Sequence, residues 1–222
     1  MKFELHAHTF YSNDAIVSPE NLVKISKRNG MNGVAVTDHN TTRGWKRALA
    51  AGKKHDFPVI RAEEIKVFHE GKKIGEVLGL FLNEEIKPDE FSAVADRIRE
   101  QDGLLVVAHP FDYFRSHFRM LEEYKKRFDA VEAVNARVVL NWFNTKARQF
   151  AGRNGLPVTG GSDSHCMYEV ANAYTEADIA GTEDLRKAIR QGKTRAYGKR
   201  TNPLIHTLST LTKLGIMRPK GL

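Results

Sequence analysis

Apolar runs along this chain keep stopping at metal-ligand residues. The stops are His6-Ala7-His8, Asp38-His39, Glu64, His109 and Asp163-Ser164-His165, spread over most of the 222 residues. Neutral imidazole and carboxylate groups at this density suggest a multinuclear metal centre. A fold that gathers strand ends in one place would bring them together.

The segments between the stops follow a β-α rhythm. Residues 3–8 (FELHAH) alternate as a strand. Ser18-Pro19-Glu20 is a helix start, with serine as cap, proline at the first position and an acid in the first turn. That helix stops near Asn29-Gly30. A short buried strand over 33–37 and a helix over 42–55 follow. Residues 58–68 and 74–82 flank the turn Glu70-Gly71-Lys72-Lys73 and read as a hairpin. Helices are predicted over 88–101, 119–127, 139–153 and 182–190. Strands are predicted over 104–108, 130–134, 157–161, 172–175 and 194–198.

Such alternation implies parallel strands joined by right-handed crossovers. An open doubly wound sheet would gather only the ligands near its switch point. A closed barrel brings every strand C-terminus to one face and explains more. Residues 1–200 are expected to form that barrel domain. Residues 201–222, rich in Thr and Leu and basic, lie outside the rhythm as a C-terminal extension expected to pack on the barrel or mediate an interaction.

No apolar run approaches the roughly 18 residues needed to cross a bilayer, so no membrane partner is expected. The first residues lack the apolar stretch of a leader. A single cysteine, Cys166, excludes an internal disulfide and fits a reducing compartment, so a cytoplasmic location is expected. The net charge of +8 favours anionic partners, either phosphorylated small molecules or nucleic acid. The cations cluster only near the C-terminus, at Lys193, Arg195, Lys199 and Arg200, with Lys213, Arg218 and Lys220 beyond. A solvated basic face is the alternative reading there.

His6 and His8, two apart on a strand, point to the same face and can grip one metal at about 2.0–2.1 Å each. A hydrogen-bonded histidine pair is the plainer alternative. Asp14 is a further ligand candidate or a turn residue. Glu63 and Glu64 face opposite ways, so only one can look into a barrel, and their neighbours do not settle which. A carboxylate there is costly unless it binds a cation or is otherwise paired. Glu76 is another candidate, with an exposed glutamate as its default. Asp163 and His165 share a face if extended geometry persists, and Gly160 and Gly161 permit close backbone approach. His55, His69, His117 and His206 fall in helix or loop, and Cys166 reads as a small neighbour of harder ligands.

Eight or more candidate ligands, two of them carboxylates able to bridge, predict two or three divalent ions. Zn, Mn or Fe suit such a donor set, with Mg also compatible. There is no P-loop and no Gly-x-Ser-x-Gly elbow. A metal-activated hydroxide is then the natural nucleophile, and clustered cations would offset phosphate charge. Arg115, Arg119 and Arg137 follow ligand-bearing strands and are candidates to hold a substrate phosphate, with surface arginines as the alternative.

At these residues the chain resembles the PHP (polymerase and histidinol phosphatase) superfamily, from His6 to about Tyr174. His6-Ala7-His8-Thr9 with Tyr11-Ser12, Thr37-Asp38-His39-Asn40, Ala108-His109-Pro110 and Gly161-Ser162-Asp163-Ser164-His165 look like its four motifs. The resemblance implies an α/β fold, a distorted (β/α)7 TIM-like barrel with its metal site at the C-terminal ends of the strands. It also implies up to three divalent metals and a stand-alone enzyme, since the chain is far too short for a replicative polymerase.

By the same resemblance, His6, His8, Glu64 and Asp163 would hold one metal. Glu64 would bridge to a second, shared with His109, and Asp14, His39 and His165 would hold the third. The family pattern selects Glu64 over Glu63, although Ala62 replaces the usual glycine. Asp14 stands where some members have histidine, and Glu76 where a histidine often completes the second metal site. Asp38 would orient a ligand from behind. The implied function is metal-dependent hydrolysis of a phosphate ester, on a small phosphorylated metabolite or a nucleotide. His39, His165 or Asp163 would assist proton transfer. The alternatives are a nuclease acting on DNA or RNA ends, and a non-catalytic RNA-binding subunit on the same barrel.

Overall fold

The strand that leads to His6 and His8 is shorter than its alternation suggests. In the computed structural model, which describes residues 1–216, β1 covers only Lys2–Glu4. The backbone from His6 to His8 stays extended because it pairs elsewhere. Ala7 forms a parallel bridge with Ser164, His8 N–H donates to the Ser164 carbonyl at 2.9 Å, and Asp163 N–H donates to the His6 carbonyl at 2.7 Å.

The chain continues through α1 (Pro19–Arg28), β2 (Gly33–Val36), α2 (Trp45–His55), β3 (Val59–His69) and β4 (Lys72–Leu80). It goes on through β5 (Asp89–Glu90), α3 (Phe91–Glu100), β6 (Leu104–Val107), α4 (Leu121–Tyr124), β7 (Ala130–Asn135) and α5 (Asn141–Asn154). The last elements are β8 (Val158–Gly161), β9 (Ala173–Ala177), α6 (Leu185–Arg190), β10 (Thr194–Gly198) and α7 (His206–Lys213). Ser18 caps α1 as read from the sequence, accepting from Asn21 N–H at 3.2 Å, with Pro19 in the first turn. Two helix starts were read too early. Residues 42–44 form the turn ahead of α2, and Asp89–Glu90 pair with β3 as a strand before α3 begins.

The sheet runs β10-β9-β1-β2-β3-β4-β6-β7-β8, a nearly closed barrel of nine strands, with β5 off the path. The β1–β2–β3 and β6–β7–β8 pairings are parallel. The hairpin makes β4 antiparallel to both β3 and β6, which departs from a uniform parallel ring. β9 and β10 pair antiparallel as a ribbon beside β1. The Ala7–Ser164 bridge, with its flanking bonds, closes the ring between β1 and β8 at the end where the ligands lie.

The interior has two layers. Ala62, Leu78 and Ala130 belong to one buried apolar cluster, floored by Leu185, Ala188 and Ile189 of α6. Two positions away on the same strands, and so on the same face, stand Glu64, Glu76 and Glu132, all buried. The same inward stripe is thus apolar below and acidic above. A second cluster, including Leu22, Trp45, Phe91, Val94 and Phe150, carries residues of the flanking helices α1, α2, α3 and α5. Trp45 of α2 also donates from its indole N–H to the Ala62 carbonyl at 2.8 Å. Each such apolar side chain contributes about 1.5–3 kcal/mol when buried. No helix among the described residues is long and apolar enough to cross a membrane.

Candidate metal centre

His6, His8, Glu64, His109 and Asp163 lie together at the barrel mouth, all buried. Asp14, His39 and His165 complete the cluster on one side. Glu64 is at its centre. Its Oε1 lies 2.9 Å from His109 Nε2 and 3.5 Å from His6 Nε2, and its Oε2 lies 2.8 Å from His39 Nδ1 and 3.5 Å from His8 Nε2. Asp163 Oδ1 lies 3.3 Å from His8 Nε2 and 3.7 Å from His6 Nε2. Asp14 Oδ1 lies 3.4 Å from His165 Nε2 and 3.7 Å from His39 Nε2.

Three groups have donor atoms within 4.8 Å of one another: His6, His8 and Asp163; His6, Glu64 and His109; and His8, His39 and His165. Nε2 of His6, Nε2 of His8 and Oδ1 of Asp14 are buried without a hydrogen-bond partner. Buried polar atoms are rarely left so, and mixed imidazole and carboxylate donors are what divalent transition metals take. The residues present therefore fit such ions.

The far sides of His6 and His8 are held by the barrel. His6 Nδ1 is 2.9 Å from Glu132 Oε1, and the other oxygen of Glu132 accepts from His109 N–H at 2.8 Å and from Asn135 at 3.0 Å. His8 Nδ1 is 3.3 Å from the Ser12 hydroxyl, which donates to Asp38 at 2.8 Å. Asp38 also takes the backbone N–H and hydroxyl of Thr9, each at 2.7 Å. It therefore acts on His8 through Ser12, touching no imidazole itself. Gly161 lets this happen at close range, because a Cβ there would stand 2.4 Å from His6 Cβ.

The extended geometry expected for Asp163 and His165 is not what aligns them. Asp163 has φ +54, and His109 (+27) and Asn40 (+53) share the left-handed region, which non-glycine residues adopt at some cost. The His165 ring folds back instead, its Nδ1 2.9 Å from the Asp163 carbonyl.

Burial and neighbours set the protonation states. Burial pushes His8 down to about 3, helped by His39 and His165, so it is held neutral. Burial resists ionisation of Glu64, but His6 and His39 outweigh it and hold the carboxyl well below the usual range. Asp163 is likewise held low against burial, chiefly by Arg115. Burial opposes protonation of His39, yet Glu64 raises it to about 9. Burial lifts Asp38 to about 6 and Glu63 to about 8.

Of the remaining candidates, Glu76 is buried rather than exposed, 3.8 Å from His109 Nε2 and paired with Lys73 at 2.9 Å. Glu63 points away from Glu64 and accepts from Ile86 N–H at 3.0 Å. Arg115 bridges Asp112 at 2.6 Å and Asp163 at 2.7 Å. Arg137 is buried, its guanidinium donating to Ser209 at 2.6 Å and lying 3.4 Å from Glu169. Arg119 is exposed and does not line the cleft.

Three contributors were missed by the sequence reading. Glu132 and Glu4 sat inside apolar or alternating runs, where a buried acid was itself the signal. Glu4 accepts from the N–H groups of His6, Ser162 and Ala171, and burial raises it to about 7. The third is α7, whose Ser209, Thr210 and Lys213 wall a cleft of about 860 Å³ above the metal centre. Arg218 and Lys220 of the basic C-terminal cluster lie outside the described residues.

Residues 4–142 match the family profile of the PHP domain, and residues 141–194 match a PHP-associated profile. The chain belongs to the PHP family. A relative, an uncharacterised protein of Methanocaldococcus jannaschii, is 34% identical over 197 residues, covering 83% of this chain and 75% of that one. Among solved structures, a two-domain protein of Bacteroides vulgatus containing a predicted PHP-like metal-dependent phosphoesterase superposes with a TM-score of 0.73 at 17% identity. The match covers 90% of this chain but only 65% of that one. The lesion-specific endonuclease EndoQ of Pyrococcus furiosus superposes with a TM-score of 0.59 at 17% identity, covering 91% of this chain and 59% of that one. At these identities the two structures speak for the shared fold alone.

Proposed function

We propose that this PHP-family protein is a metal-dependent phosphoesterase that hydrolyses the phosphate ester of a small metabolite or nucleotide. The observation that carries the reading is the set of three overlapping ligand groups with unpartnered nitrogens, beneath a cleft rimmed by cations. Divalent ions held there would acidify a coordinated water toward a pKa near ~7 and draw charge from phosphate oxygens. His6, His8, Glu64 and Asp163 are the ligands proposed for one ion, with Glu64 reaching toward His109 for a second. Asp14, His39 and His165 are proposed for a third.

The protein's own groups do the rest. Arg115, fixed by Asp112 and Asp163, presents its guanidinium to the cleft and would hold a phosphate oxygen. Glu132, Ser12 and Asp38 keep the imidazoles of His6 and His8 turned to the centre. His39 and His165 line the cleft, and either would pass a proton to the leaving oxygen only when it does not hold the third ion. Arg137 supports the cleft wall through Ser209, and Arg119 is not proposed to touch substrate.

A nuclease is the second reading, favoured by Arg43, Lys66, Lys73 and Lys213 on the cleft wall, which would follow a phosphate backbone. A purely structural RNA-binding role leaves the buried acids and imidazoles without purpose. Metal analysis coupled to a panel of phosphoesters, with His8→Ala and Asp163→Ala as controls, tests the reading. Metal retention and hydrolysis lost in both variants would support it. A metal-free protein whose variants match the parent would sink it.

A further inference from the structure

The loop carrying Arg115 joins the metal centre to a surface of uncovered rings. Arg115 points inward to Asp163, while Tyr113 and Phe114, just before it, are 48% and 65% exposed. Trp142, in the first turn of α5, is 55% exposed beside them. The buried ring of Phe143 ties the three together, with centroids 5.7 Å from Tyr113, 5.6 Å from Phe114 and 6.0 Å from Trp142. Lys146 Nζ stands 3.8 Å from the Trp142 ring centroid and 5.3 Å from that of Tyr113.

Large aromatic rings left together in water mark a binding surface. The local charge says of what kind. Residues 136–162 hold four cations, among them Lys146 and Arg148, and no Asp or Glu. Residues 113–121 hold Arg115 and Arg119 and no acid. Asp112, adjoining Tyr113, is buried and paired with Arg115, so the cation that meets the rings directly is Lys146. Rings set beside such a cation complement a polyanion that carries flat rings of its own. Unpaired bases stack on exposed aromatic side chains while the backbone phosphates meet the neighbouring lysines and arginines.

We propose that Tyr113, Phe114, Trp142 and Lys146 form a stacking platform for the unpaired bases of a single-stranded nucleic acid, beside the point where a phosphate enters the cleft past Arg115. The proposal rests on the phosphoesterase reading for its purpose but not for its test. Stacking tolerates any base, so the platform selects single strands over duplex rather than one sequence over another.

Binding is measured with the full-length protein in chelator, so that no hydrolysis intervenes, using 5′-labelled oligothymidylate and oligouridylate of ten nucleotides and a matched duplex. The single strands are expected to bind more tightly than the duplex and to quench Trp142 fluorescence. Trp142→Ala is expected to weaken binding roughly 5- to 150-fold, the loss of one stacking contact, while Trp142→Phe keeps most of it. Lys146→Ala is expected to lower the salt dependence by about 0.7 in log–log slope. Equal affinity of the parent and of the Trp142→Ala and Phe114→Ala variants overturns the platform. So does a change in oligomeric mass in those variants without any change in nucleic-acid binding, which would assign the rings to a second copy of the chain. Turnover of p-nitrophenyl phosphate by the unaltered, metal-loaded protein reports separately on the phosphoesterase reading.

Discussion

The Glu132 carboxylate lies 2.9 Å from His6 Nδ1, on the side of the ring away from the metal centre. With Nδ1–H donating to that oxygen, the lone pair of Nε2 is left for a metal. Glu132→Gln keeps the shape but offers a weaker acceptor. It is expected to lower metal affinity about 10- to 100-fold, read by competition with a chelating dye.

Gly161 is a second support for His6. A Cβ at this position would lie 2.4 Å from His6 Cβ and 2.8 Å from its backbone nitrogen. Gly161→Ala must push β8 and the His6 segment apart. It is expected to cost about 1–3 kcal/mol in urea unfolding of the metal-free protein and to weaken metal binding as well. Gly152→Ala, in α5 with open space around it, is the control: it is expected to leave metal binding unchanged and to raise stability by up to about 1 kcal/mol rather than lower it.

Arg115 holds two carboxylates at once, Asp112 and Asp163. A lysine cannot reproduce that fork. Arg115→Lys and Arg115→Ala are both expected to lower kcat on phosphoesters, the alanine variant by about 10²-fold or more. Metal content measured alongside separates loss of phosphate contact from loss of the ligand Asp163.

His206, at the start of α7, is driven down to about 4 by burial and by Arg137, with Arg115 adding and Glu169 and Asp163 opposing. Its folded pKa lies below the unfolded value, so the unfolded state binds more protons between about 6.5 and 4. Its contribution is complete above pH 6.5 and is lost as pH falls toward 4. Hydrogen exchange of α7 is expected to speed up over that window relative to the barrel strands, and His206→Gln is expected to flatten the dependence.

The barrel was legible because its strands end in ligands, and no open sheet explains five such ends. Glu64 could be told from Glu63 by the family pattern, and the structure sends the two in opposite directions. What escaped was geometry that depends on distant partners. The extended His6–His8 segment is held by Ser164, more than 150 residues away, so local alternation overstated β1. Asp163 turns inward through a left-handed backbone conformation that no residue pattern announced. Glu4 and Glu132 read as ordinary strand positions, although an acid on an inward stripe needs partners to pay its desolvation. The place of α7 over the cleft depends on Arg137 finding Ser209, a contact between segments 72 residues apart.

The central claim is that these buried acids and imidazoles form a multinuclear metal centre. Metal stoichiometry per chain, determined on protein stripped with chelator and then titrated with Zn, Mn or Fe(II), tests it most directly. Two or three equivalents are predicted for the parent, with at least one lost in His8→Ala and in Asp163→Ala. A parent chain that takes up no equivalent of any of these ions would contradict the account.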